Sequence, residues 1–242
     1  MLFPPEKLLL DAAVVAARRL PEDGTGLHTV AAAVMDVDGR VHTGVNVHHF
    51  TGGPCAEMVA LGVAAAAGAL PVAGIVAVGD GGRGVLAPCG RCRQVLVDQH
   101  PDALVIVPDG ADLVVVRARE LLPYAYERRE AAPPRLLRFA ARHWDAVVAG
   151  TKTATTRFRD PSRPGPVTLL FEFDDRLRSL RGTVESVEQV RFAEITDEQA
   201  APENCTADQL RDALRTHHYP GIGDGDVVDL VQFRVAGPAP AN

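Results

Sequence analysis

The sequence predicts an α/β protein made of two domains, a layered α/β domain followed by a small β-barrel domain. Three observations lead there. Over roughly the first 125 residues, short apolar runs of strand length alternate with Ala- and Leu-rich helical stretches. A charged stretch running from Glu127 into Pro133 and Pro134 then breaks the chain. Beyond it, strand-like runs outnumber helices. A length of 242 residues suits two domains, and 47% hydrophobic residues supply both with a core.

In order, residues 5–20 carry apolar spacing that suits a helix. Residues 29–35 and 41–47 read as a hairpin of two strands around the turn signal Asp36-Val37-Asp38-Gly39-Arg40. After Gly52-Gly53-Pro54, residues 55–68 form a helix. Residues 73–79 make a buried strand, followed by the loop Asp80-Gly81-Gly82-Arg83-Gly84. A helix over 88–100, strands over 103–107 and 113–116, and a short helical turn at 120–123 complete the first half. In the second half, residues 136–149 read as an amphipathic helix stopped by Gly150. Strands follow at 167–173, 180–187 and 227–235, with a helix at 206–217. The domains are therefore expected at 1–128 and 136–242, joined by a linker over 129–135.

Bulk chemistry narrows the function. The net charge of −6 argues against a broad phosphate-tracking surface. No apolar run is long enough to cross a bilayer. The first residues lack the pattern of a secretory signal, so the expected location is the cytoplasm. There, four cysteines point to metal binding or catalysis before disulfides.

The strongest signal is Pro54-Cys55-Ala56-Glu57 followed by Pro88-Cys89-Gly90-Arg91-Cys92. A catalytic zinc takes three protein ligands and keeps one position for water. Cys89 and Cys92, three apart, share a face in the first turn of a helix, and Cys55 opens another helix. Helix N-termini favour thiolates there. Glu57, two residues past Cys55, reaches the water without binding the metal. Zn²⁺ brings that water's pKa towards neutrality, and the carboxylate moves protons to the ring nitrogen and the leaving amine. Three thiolates with a non-ligating glutamate is the pattern of zinc-dependent nucleobase deaminases. Two other readings stay open: a Cys89/Cys92 redox pair, and a structural zinc completed by His48 or His49. Arg91 or Arg93 is expected to offset the thiolate charge.

The stretches Thr43 to Glu57 and Arg83 to Leu96 that hold these residues resemble the cytidine deaminase superfamily, and most closely its blasticidin-S deaminase branch. The resemblance spans roughly residues 5–127. It implies a five-stranded mixed sheet between helices, a homo-oligomer (tetramer or dimer) formed through this domain, and hydrolytic deamination of a cytosine nucleoside. By that resemblance Asn46 contacts the sugar, and Thr29, Arg83 and Tyr126 line the pocket. Two departures stand out. His48 occupies the place where cytidine deaminases carry a Glu that grips ribose hydroxyls, and an imidazole cannot replace that carboxylate. Arg128 stands where an aromatic is expected. Plain ribose is then not the expected sugar, unless His48 simply packs at a subunit contact.

In the second half, Gly150-Thr151-Lys152-Thr153-Ala154-Thr155-Thr156-Arg157 resembles the motif of the ASCH domain, a PUA-like barrel. Ala201 to Thr206 and His218-Tyr219-Pro220-Gly221 resemble small bacterial N4-acetylcytidine amidohydrolases. That resemblance implies Lys152, Thr155 and Glu203 as catalytic residues. It leaves two alternatives, an RNA-binding module in which Lys152 and Arg157 take phosphate, and a purely structural domain. Cys205 is assigned no role. The pairing suggests a sequence in which the second domain removes an N4-acyl group and the first deaminates the exposed amine. In the rival scheme the second domain delivers the deaminase to RNA, and the acidic charge weighs against it.

Overall fold

The structure is a computed structural model and describes residues 2–21, 25–126 and 133–237. The expected linker lies outside the described residues as far as residue 132, as does Arg128. The chain divides into two compact units, Met1–Leu136 with Glu172–Ser179 and Leu137–Phe171 with Leu180–Ala241. No described helix is long and apolar enough to cross a membrane.

The first unit is a mixed sheet between helices. Its strands are β1 (Val30–Asp36), β2 (Val41–Val45), β3 (Val72–Gly79), β4 (Gly84–Leu86), β5 (Leu104–Asp109) and β6 (Asp112–Arg117). Its helices are α1 (Pro4–Ala17), α2 (Ala56–Ala66) and α3 (Gly90–Gln99). The main path runs β2-β1-β3-β5-β6, the five strands expected, and the short β4 pairs with β3 as a sixth. Among the described strands of this sheet only β3 and β5 pair in parallel, because α3 carries the chain between them.

The β1–β2 hairpin turns where the sequence signals it. Asp36, fully buried, accepts the N–H groups of Asp38 (3.0 Å) and Arg40 (2.8 Å) on Oδ1, and the Arg40 guanidinium on Oδ2 (2.7 Å). Strand β3 is buried along its whole length. Ala32, Val34, Ile75 and Ala77 share one core with Ala56, Ala60 and Ala64 of α2 and Leu96 of α3. The opposite face is covered by α1, whose Leu9 meets Gly74. Small residues let helix and sheet come close. A Cβ on Gly44 would stand 2.4 Å from the Ala60 nitrogen.

The second unit carries a five-stranded sheet: β7 (Leu136–Ala140), β8 (Ala154–Arg157), β9 (Gly165–Glu172), β10 (Leu177–Arg191) and β11 (Val227–Gly237), in the order β7-β9-β10-β11-β8. The expected barrel takes the form of a curled half-barrel, and β10 is bent by register shifts after Arg181 and Val184. Phe139, Phe171, Phe233 and Trp144 contact one another at its centre. The helices are short: α4 (Trp144–Val148), α5 (Asp197–Ala200) and α6 (Ala207–Ala213). Thr206 caps α6 by accepting Gln209 N–H, and the Gln209 side chain returns the bond to Thr206 N–H. A π-helical turn, Leu214–His218, extends α6.

One expectation is corrected. Residues 136–149 are not one helix. They form β7, a 3₁₀ turn (Ala141–His143) and α4. Leu136, Leu137 and Phe139 are buried as a strand against β9, and Phe139 stacks on Phe171 at 5.1 Å. Short apolar runs fit either period, and here the sheet decides. Residues 150–157 contain β8, paired with β11.

Candidate active site

Cys55 and Cys89 are the N-cap residues of α2 and α3, each in extended conformation, and each follows a proline. Cys92 lies in the first turn of α3 with no exposure. This brings the Sγ atoms of Cys55 and Cys89 to 3.6 Å, and those of Cys89 and Cys92 to 3.6 Å. All three lie within 4.8 Å of one another. None is in a disulfide, and among the described residues no histidine joins them.

The electrostatics of the trio fit a cation. Burial, then the charge of Glu57, pushes the Cys92 thiol far above its ordinary value. Burial and the neighbouring Cys89 raise Cys55 as well. Cys89 moves the other way. Burial opposes its thiolate, but the Cys92 N–H and side chain, the Cys55 side chain and the Arg91 N–H outweigh burial and lower it. Three sulfurs held this close cannot all ionise without a positive charge between them. The residues therefore fit a Zn²⁺ ion with three thiolate ligands.

The Arg93 guanidinium is held by backbone carbonyls. Its Nε donates to the Pro88 carbonyl (2.8 Å) and its Nη1 to that of Leu121 (3.2 Å). Arg91 contributes through its backbone N–H.

Glu57 sits on the first turn of α2, 6% exposed. It shares a cavity of about 440 Å³ with Cys55, Cys89, Asn46, His48 and His49. Asn46 is fixed by its side-chain carbonyl oxygen, which accepts Thr29 N–H (2.7 Å) and Val30 N–H (2.8 Å). Its amide N–H₂ is the part left for a ligand. Thr29, Arg83 and Tyr126 stand outside the cavity lining. The Arg83 guanidinium binds the Thr29 carbonyl and Asp80. Tyr126 is exposed, and its carbonyl accepts Gln94 Nε2 at 2.9 Å. His49 in the cavity wall is a residue that sequence reasoning considered only as a metal ligand.

Known proteins share the sequence around this site. Residues 5–107 match the family model described as the cytidine and deoxycytidylate deaminase zinc-binding region. A blasticidin-S deaminase of Bacillus cereus is 32% identical over 129 residues, covering 50% of this chain and 91% of that protein. The chain belongs to the cytidine deaminase family. A cytidine deaminase of Mycobacterium tuberculosis is 42% identical over 78 residues, which cover 31% of this chain and 57% of that protein. The solved cytidine deaminase of Burkholderia pseudomallei is 36% identical, with a TM-score of 0.43, over 50% of this chain and 98% of the other. An ASCH domain structure from Lactobacillus crispatus aligns with 38% of this chain and 68% of its own at 17% identity and a TM-score of 0.30.

The second unit of this deaminase-family chain gathers its own polar cluster. Lys152, 4% exposed, pairs with Glu203 at 2.7 Å. The other oxygen of Glu203 accepts the Thr156 hydroxyl at 2.6 Å. The expectation placed Thr155 beside this pair. The hydroxyl that reaches Glu203 is that of Thr156, because neighbouring residues on β8 face opposite sides of the sheet. Cys205 feels both charges, and its thiol is raised by burial and by Glu203. Around the pair stand His143 and His218. Burial, then Lys152, Arg142, His218 and Arg157, lowers His143 to about 4. Burial, then Arg142 and Arg157, lowers His218.

Proposed function

We propose that this chain hydrolytically deaminates a cytosine nucleoside to its uracil form with release of ammonia. One observation carries the reading: Cys55, Cys89 and the buried Glu57 line a nucleoside-sized cavity, with the Cys92 sulfur clustered behind the other two. Cys55, Cys89 and Cys92 would hold Zn²⁺. The ion supplies Lewis acidity, making a water nucleophilic near neutral pH. Glu57 would take one proton from the water and give it to the ring nitrogen, then take the proton of the new C4 hydroxyl and give it to the departing amine as the carbon–nitrogen bond breaks. The Asn46 amide would hold the sugar. The substrate is a blasticidin-S-like nucleoside, or cytidine and deoxycytidine. The reading includes a cytoplasmic homo-oligomer formed through the deaminase unit.

The second unit would be an ASCH domain that acts upstream. An N4-acylated cytosine cannot lose its nitrogen as free ammonia. Water would add to the acyl carbonyl and the carbonyl–nitrogen bond would break, leaving a carboxylic acid and the 4-amino nucleoside. Lys152, Glu203 and a hydroxyl of the Thr155–Thr156 pair would do this work.

A mass-spectrometric panel of blasticidin S, cytidine, deoxycytidine, cytosine and N4-acetylcytidine tests both halves. Glu57→Ala should abolish every deamination and spare acetate release, whereas Lys152→Ala should do the reverse. A Glu57→Ala chain that still releases ammonia would overturn the first reading. A Lys152→Ala chain that releases acetate like the parent would overturn the second.

A further inference from the structure

The polar cluster of the second unit extends from a buried base to the surface. Lys152 lies at the bottom, neutralised by Glu203. At the rim, Arg142 donates to His218 Nε2 at 3.2 Å, and both side chains are exposed. Accepting that bond leaves His218 a neutral imidazole with its proton on Nδ1. Arg142 therefore keeps most of its guanidinium fork, and His218 one N–H, for something outside the protein. Arg157 lies close behind, its Nη2 donating to the Arg138 carbonyl at 2.7 Å, its Nη1 3.8 Å from Asp160 and its buried Nε unpartnered. Three fixed cations thus face two carboxylates. His143, between them, is held neutral by burial and by the surrounding positive charge.

Beside the rim is an aromatic wall. The Tyr219 ring lies 6.3 Å from that of His218, and Phe158 meets Tyr219 edge-on at 5.6 Å. Arg159 covers the Phe158 ring at 4.8 Å. Both aromatics are half-buried. Donors without a partner, surplus positive charge and an adjoining π surface are the elements of nucleotide recognition. The positive charge is local in a chain of net charge −6, which suits one phosphate and not a nucleic-acid strand.

We infer that the second unit binds a phosphorylated cytosine nucleotide, with Arg142 and His218 holding the phosphate and Tyr219 flanking the base. This rests on reading the unit as a site for cytosine derivatives, and not on its deacylation step.

The test is binding to the full chain in a Glu57→Gln background, so that nothing is consumed. Titration calorimetry is paired with hydrogen exchange, using cytidine 5′-monophosphate, cytidine, inorganic phosphate and a ten-nucleotide cytosine RNA. The monophosphate should bind at least tenfold more tightly than cytidine or phosphate, with protection at residues 141–157 and 214–219. Arg142→Ala and Arg142→Lys should each remove that advantage without shifting the thermal midpoint. An advantage below tenfold, an advantage unchanged in both Arg142 variants, or protection elsewhere overturns the inference. RNA binding more than tenfold tighter than the monophosphate also overturns it, in favour of a strand-binding surface. Acetate release from N4-acetylcytidine is scored separately. Its absence alongside Arg142-dependent nucleotide binding counts only against deacylation. Its presence with no advantage for the monophosphate counts only against the phosphate subsite.

Discussion

At the residue scale, Glu57 and the three cysteines make separable contributions. The cluster that could hold a metal is formed by Cys55, Cys89 and Cys92, without the Glu57 carboxylate. Glu57→Gln should therefore keep one zinc per chain by elemental analysis while lowering kcat by about 10² to 10⁴-fold, the usual worth of a positioned proton carrier. Cys92→Ser should lose both zinc and activity, since the serine hydroxyl replaces a thiolate in a fully buried place. His100 gives a pH signature. Burial lowers its pKa to about 4, below the roughly 6.5 of an unfolded chain. The neutral form is favoured when folded, so this stability is complete above about pH 6.5 and is lost as the pH falls towards 4. The thermal midpoint should decline between pH 6.5 and 5, and less steeply in His100→Gln. Equal slopes for the two proteins would refute the assignment.

At the element scale, the site depends on how helices start and how closely they approach the sheet. Cys55 and Cys89 were recognisable because a proline followed by a cysteine at a helix start is a local pattern. Asn46 works through contacts 16 and 17 residues away, pairing the N–H groups of Val30 and Thr29. Asn46→Ala strands both N–H groups at the edge of β1. A loss of about 1–3 kcal/mol per fully buried group is the upper scale, and these are partly buried, so a loss of about 1–2 kcal/mol is expected in urea unfolding. Gly44→Ala should be worse, because the added carbon meets the backbone of α2 and not a movable side chain. A Gly44→Ala protein with the parent's unfolding midpoint would show that α2 can shift freely. The 136–149 segment belongs to this scale too. Its apolar residues satisfy helical and strand spacing alike, and only pairing with β9 distinguishes them.

At the scale of the whole molecule, the proposed function puts a separate chemistry on each unit, and each variant should affect its own. Chelation of zinc should end deamination while leaving any acetate release intact, as read on N4-acetylcytidine with and without chelator. The alternation of strands and helices in the first half, the three clustered cysteines and the carboxylate near them were all legible in the amino-acid order. They are set by residues near one another in the chain, where helix starts and turn signals act. It took the folded chain to establish that Thr156 and not Thr155 meets Glu203, that Arg93 serves backbone carbonyls, and that Arg142 reaches His218 across 76 positions. Such contacts follow from strand facing and long-range packing, and no local spacing encodes them.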